Sequence, residues 1–271
     1  MKLTTLIFIL LFAGNASGQD TEFTSDFLLS VQKGLMPGHS LIHKFGRNNA
    51  VANGSWEGVN QHSTAFVWLE AATTVRVKAG GNAADTAAGA GAQSVMVEGL
   101  DGNGDLITET IATAGASASA ATTALFFRIY RATVVNVGAY TGTNTAAITI
   151  EDSAGVSDLI LIAAGEGQSQ YGAYSVPNGY RAYILSIEVE ADASKPADFR
   201  LHVRNNITDV TTPFSGALVK RYWDGVTGTS STNVRSPLSA IVGLSDIWLD
   251  AEGSGAITEV SVEMEILLIK D

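Results

Sequence analysis

The sequence predicts an all-β protein: two β-sandwich or jelly-roll-like domains preceded by an N-terminal arm. Three observations carry this. Short apolar runs recur at near-regular spacing between Gly-containing turns. Several stretches alternate strictly, as where Val260, Val262, Met264 and Ile266 interleave with Glu259, Ser261, Glu263 and Glu265. Helical periodicity is almost missing between them, which points to stacked sheets.

Composition sets the outer limits. The chain has 271 residues, 46% hydrophobic and 16% charged, so it holds enough apolar material for a packed core. Asp plus Glu number 27 against 16 Lys plus Arg, a formal net charge of −11. A general nucleic-acid binder needs the opposite balance, and none is expected as a partner. There is no Cys, which excludes disulfides, thiolate metal sites and a Cys nucleophile.

In chain order, residues 1–18 read as a hydrophobic leader. Lys2 precedes the apolar run Leu6 to Ala13, and Ala16-Ser17-Gly18 offers a small-residue cleavage site. The run is too short for a stable membrane span. Residues 19–54 read as the arm. Phe27 to Val31 is a short helix or strand, broken by Met36-Pro37-Gly38. His39 to Arg47 is the cluster of positive charge in the N-terminal half.

Residues 55–164 form the first expected domain. Strands are predicted at Phe66–Leu69, Thr74–Lys78, Ser94–Leu100, Leu106–Ile111, Leu125–Ala132, Thr133–Ala139, Ala146–Glu151 and Leu159–Ala163. Asn103-Gly104 between the third and fourth of these is a strong hairpin signal, because both central turn positions would take positive φ. Residues 165–271 form the second domain. Its predicted strands are Tyr180–Glu190 after an Asn178-Gly179 turn, Phe199–Arg204, Phe214–Tyr222, Asn233–Leu238, Asp246–Ala251 and Ala256–Ile269. Glu188 and Glu190 share one strand face, and Arg200, His202 and Arg204 share another. Opposite charges across neighbouring strands stabilise a register, so Glu188 or Glu190 is expected opposite Arg200 or Arg204.

The chemistry-bearing patterns are sparse. Asp101-Gly102-Asn103-Gly104-Asp105 opens like a calcium loop, but Leu106 and Ala112 stand where Gly and Glu are needed, and a turn is the better reading. His39 and His43 lack a following carboxylate ligand, and no metal is expected. No nucleophile elbow, phosphate loop or dinucleotide fingerprint is present. The carboxylate pairs Glu188/Glu190 and Glu263/Glu265 read as solvated strand faces rather than an acid–base pair. No catalytic residue and no cofactor are therefore expected. Tyr222-Trp223-Asp224-Gly225, followed by Gly228 to Thr232, reads as a polar loop with aromatics, a candidate binding loop.

Val31-Gln-Lys-Gly34 and the block Pro37-Gly-His-Ser-Leu-Ile-His-Lys-Phe-Gly-Arg-Asn48 resemble the N-terminal segment of virion structural proteins of marine tailed bacteriophages. Asp85 to Gly104 and Tyr174-Ser-Val-Pro-Asn-Gly-Tyr-Arg-Ala-Tyr183 are similar to the same group. The resemblance covers most of residues 27–271, and residues 1–26 stand apart from it. It implies a non-enzymatic, β-rich particle component, located in the virion, whose partners are other virion proteins and copies of itself. His39, His43, Lys44, Phe45 and Arg47 are then the expected inter-subunit docking residues, meeting an acidic surface. The rival expectation, favoured by the leader, is a secreted β-sandwich module that binds a host-surface glycan.

Overall fold

A computed structural model describes residues 26–62, 65–210, 213, 215–233 and 239–271. The expected leader and most of the strand expected at 233–238 lie outside the described residues. The described chain is all-β, in antiparallel sheets, with one short helix. No described helix is long and apolar enough to cross a membrane.

The helix α1 spans Phe27–Gln32, and Asp26 caps it by accepting from the Leu28 N–H at 3.0 Å. Sixteen strands follow. They are β1 (His39–Val51), β2 (Glu57–Gly58), β3 (Val75–Val77), β4 (Ala92–Leu100), β5 (Leu106–Ala112), β6 (Arg128–Val137), β7 (Ile148–Asp152) and β8 (Asp158–Ile162). The second half holds β9 (Ala173–Val176), β10 (Tyr180–Ala191), β11 (Ala197–Asn205), β12 (Leu218–Val226), β13 (Gly228–Asn233), β14 (Ile241–Val242), β15 (Ser245–Gly253) and β16 (Thr258–Lys270).

Four sheets result. Sheet I runs β1-β16-β10-β13, with β14 also on β10. Sheet II runs β12-β11-β15-β2, with β9 also on β15. Sheet III is β3-β7-β8 and sheet IV is β5-β4-β6. The core divides accordingly. One cluster joins Ile187, Val189, Val262, Met264 and Ile266 of sheet I to Phe199, Leu201, Ile247 and Leu249 of sheet II. A second joins Val75, Ile150 and Ile160 of sheet III to Val95, Val97 and Ile129 of sheet IV. Period-two alternation is the cause: in β16 each apolar residue from Val260 to Ile266 is buried and each residue between them faces out. Each such side chain contributes about 1.5–3 kcal/mol by leaving water.

Several expectations are corrected. The segment 39–51 is not an arm: it is an edge strand of sheet I, paired with β16 from His39↔Ile269 to Val51↔Thr258. The chain then lays β2 on β15, at Asp250↔Gly58 and Ala251↔Glu57, so residues 57–58 join the sheet of the second half. Thus the expected boundaries at 54 and 55 do not separate structural units. Phe66–Leu69 forms no strand, although Phe66 is buried in the second cluster. The two strands expected across 125–139 are one, β6.

The expected hairpin is present, with β4 and β5 in register from Ser94↔Ala112 to Leu100↔Leu106. Its turn differs from expectation. Only Gly104 takes positive φ, at 81°, and Asp101 Oδ1 accepts from the amides of Asn103 and Asp105 at 2.8 and 2.9 Å. The carboxylate closes an Asx turn, so Asn103 needs no left-handed conformation. Asn178-Gly179 makes no hairpin; it carries the chain from β9 in sheet II to β10 in sheet I.

The expected pairing of Glu188 or Glu190 with Arg200 or Arg204 is wrong. β10 pairs with β13, β14 and β16, whereas β11 pairs with β12 and β15. Arg200 sits opposite Asp250, and Arg204 opposite Asp246. Consecutive strands here lie in facing sheets, so adjacency in sequence misassigned the partner.

Candidate functional site

The block from His39 to Arg47 is split by the pleat of β1. Odd residues face outward and even residues inward. His43 is exposed, and its Nδ1 lies 2.7 Å from Glu265 Oε1 on β16. Arg47 donates from Nε to Glu259 Oε1 at 2.6 Å. The acidic surface that meets this basic block is therefore the chain's own last strand. Phe45 is half-buried between them, and His39 stacks edge-on against Phe27 of α1 at 5.9 Å.

Lys44 contradicts its expected docking role, because it points inward and is 3% exposed. Its ammonium donates to the Tyr130 carbonyl and lies 5.6 and 5.9 Å from the ring centres of Tyr130 and Tyr171. Burial holds its pKa well below the usual lysine range, and the Arg131 guanidinium pushes the same way, with Glu98 opposing both. Lys44 thus ties sheet I to β6 of sheet IV. Beside it, Tyr171 donates its N–H to the Phe45 carbonyl at 2.8 Å, and Arg131 donates to the His43 carbonyl at 2.6 Å. Those two donors cover the middle of the β1 edge.

Tyr222, Trp223 and Asp224 do not form a loop. They lie inside β12, the edge strand of sheet II, and Gly228 to Thr232 lies in β13 at the edge of sheet I. Alternation separates the three side chains. Trp223 is buried in the core cluster, while Tyr222 and Asp224 face outward. Tyr222 is 50% exposed and packs on Trp56 at 5.9 Å between ring centres. Its hydroxyl donates to Asp198 Oδ2 at 3.0 Å, and that hydrogen bond holds the phenol above its usual pKa range.

The sequence reading missed the densest polar cluster, on the outer face of sheet II. Asp246 is fully buried and holds two cations. Arg128 approaches Oδ1 through Nε at 3.1 Å and Oδ2 through Nη2 at 3.3 Å, and Arg204 pairs with Oδ2. Ser175 Oγ donates to Oδ1 at 2.6 Å. Arg128 also donates to the carbonyls of Leu69, Phe127 and Ile207, so its guanidinium is saturated. His202 stacks on Trp248 at 5.0 Å and 9°, with Nε2 3.1 Å from Asp250. The guanidinium of Arg200 lies 3.5 Å from the Trp56 ring centre. Arg128 belongs to β6 of sheet IV, so this cluster ties sheet IV to sheet II through buried charge. Its signal was in the alternating Arg200-His202-Arg204 and Asp246-Trp248-Asp250, which the register places directly opposite one another.

Among the described residues, no group of three or more His, Asp or Glu could hold a metal ion. What the geometry supplies is surface: two five-stranded sheets, and an outward face of sheet I carrying Glu188, Glu190 and Glu263.

No protein-family model matches the sequence, and no curated protein matches it. Two solved structures of infectious bursal disease virus align over most of the chain. For the Gt strain the identity is 10%, covering 90% of this chain and 78% of the viral one, with a TM-score of 0.24. For the Gx strain the identity is 10%, covering 86% and 71%, with a TM-score of 0.24. At that TM-score the likeness carries no argument about fold or function.

Proposed function

We infer that the chain is a non-enzymatic structural subunit of a tailed-phage particle, on the capsid surface or at the neck or tail. It acts through contacts with copies of itself and with other virion proteins. We read its four sheets as two sandwich-like modules, each with its own core. The observation that carries the reading is the placement of the Pro37–Asn48 block, whose sequence resembles phage virion proteins. It forms an edge strand, and the α1 segment beside it presents Phe27, Leu28, Leu29 and Leu35 at 44, 38, 45 and 66% exposure. Apolar side chains concentrated next to a sheet edge mark a surface that a partner covers. Mass spectrometry of purified particles tests the reading. The chain is expected as a stoichiometric component, and particles that lack it overturn the assignment.

A second reading, a secreted glycan-binding module, is favoured by exposed Tyr222 packed on half-buried Trp56 beside Asp198, since sugars stack on aromatic rings and donate to carboxylates. A glycan array with the full chain tests it. Binding that disappears in Tyr222→Ala supports it, and an array without hits rejects it.

A further inference from the structure

We propose that two surfaces of this chain are the halves of one head-to-tail contact between copies: the outward face of sheet I and the outer edge of β12. This rests on the reading of the chain as a self-associating subunit and names where it associates.

The first half is acidic. β10 and β16 place Glu188 directly opposite Glu263, and Glu190 opposite Ser261. Like charges facing each other across a strand pair destabilise it. Glu188, Glu190 and Glu263 form no salt bridge among the described residues, whereas on the same face Glu259 pairs with Arg47 and Glu265 lies 2.7 Å from His43 Nδ1. Beside them Phe45, Arg47, Glu190, Asp192 and Glu263 line a cleft of about 430 Å³. The face is therefore concave, carries an apolar ring, and is left short of cations.

The second half is basic. Lys220 and Arg221 are adjacent in β12, and neither has a carboxylate partner among the described residues. Every other Arg of the described residues pairs with a carboxylate. Around them Leu218, Val219 and Tyr222 are 52, 51 and 50% exposed. Among the described residues β12 pairs only with β11, and its other edge has no strand partner there. An unpaired edge bearing neighbouring exposed Leu and Val is a strand-pairing hazard unless something covers it.

The occupant is a second copy because both complements reside in one chain. A chain of net charge −11 repels itself at random encounter. Its copies associate where an unneutralised cation pair meets an unneutralised carboxylate set, and these two surfaces supply both. Because the two patches differ, the contact is heterologous and builds a ring or an open filament rather than a two-fold dimer.

Sedimentation velocity of the full chain at low ionic strength tests this, with charge-reversed variants. Glu188→Lys/Glu263→Lys and Lys220→Glu/Arg221→Glu each place like charges across the contact. Each is expected to weaken self-association by about tenfold or more. Equal mixing of the two variants restores opposite charges at both contacts and is expected to restore association. Glu188, Glu263 and Lys220 are exposed, whereas Arg221 is half-buried with its guanidinium 5.0 Å from the Trp223 ring centre. Lys220→Glu alone is therefore the second basic-edge variant, and circular dichroism spectra and unfolding temperatures matching the parent chain are required of each variant. A parent chain that stays monomeric, reversals that leave the assembly unchanged, or a mixture that stays dissociated overturns the contact. Failure here with the chain present in purified particles rejects this contact alone. Absence from particles with the charge pattern obeyed in solution rejects the virion reading alone.

Discussion

At the residue scale, the decisive positions are polar groups that the fold buries. Lys44 has its pKa held below the ordinary lysine value of 10.5, so between the two values the unfolded chain binds more protons. Stability therefore rises with pH across that window. Burial pushes the phenols of Tyr130, Tyr171 and Tyr174 above their ordinary value of 10.0, so the slope reverses in the alkaline range above it. Lys44→Met is expected to abolish the rising limb. Urea midpoints measured from about pH 7 to about pH 9.5 check this: the parent chain climbs and the variant stays flat. Asp246 is the second such position. Asp246→Asn leaves Arg128, 4% exposed, with an uncompensated charge. A loss of about 3–5 kcal/mol is expected, read from the shift in urea midpoint, and a loss below about 1 kcal/mol would show that the tie between sheets II and IV does not depend on this pair.

At the element scale, β1 shows how a strand is fixed by what it crosses. Gly46 passes so close to Gly172 that a Cβ there would collide with the Gly172 backbone and the Val59 carbonyl. Backbone on both sides cannot yield as a side chain can. Gly46→Ala is expected to cost about 1–3 kcal/mol or more, measured by chemical unfolding. Gly216→Ala is the control, since none of the described residues lies within 4 Å of a Cβ there, and it should change stability by less than about 0.5 kcal/mol. The hydrogen bonds on the free side of β1 come from Tyr171 and Arg131, so the strand is anchored by both cores at once. A segment that reads as an arm in sequence thus becomes a shared structural member.

At the scale of the whole molecule, buried charge links the two cores. Lys44 and the Asp246 cluster both bridge sheet IV to the second-half sheets, and both use buried charge rather than apolar surface. Such joints specify geometry more than they add stability, because each ion gives up hydration to enter them. The outside of the molecule is as uneven as the inside: acidic on one face of sheet I, basic and apolar on the β12 edge. That unevenness is the basis of the head-to-tail contact and of its dependence on salt. Association through it should weaken as ionic strength rises, because exposed charge pairs are screened over about 8–10 Å at physiological salt.

The sequence by itself determined the all-β class, most strand positions and the inward and outward sets along each strand. Alternation is a local property, so the burial of Val260, Val262, Met264 and Ile266 was legible without partners. The hairpin at 101–105 was legible because turn chemistry is also local. Only the tertiary structure decided which strands pair. Arg200 and Arg204 needed carboxylates, and residue spacing could not tell β10, next in sequence, from β15, next in space. The same limit hid the burial of Lys44, which looks like its exposed neighbours until the pleat and Tyr130 are in place. It also hid the split of Tyr222 from Trp223 across the two faces of β12. Period-two patterning fixes which face a residue takes, but pairing is set by long-range packing of the two cores, and that information is spread over the whole chain.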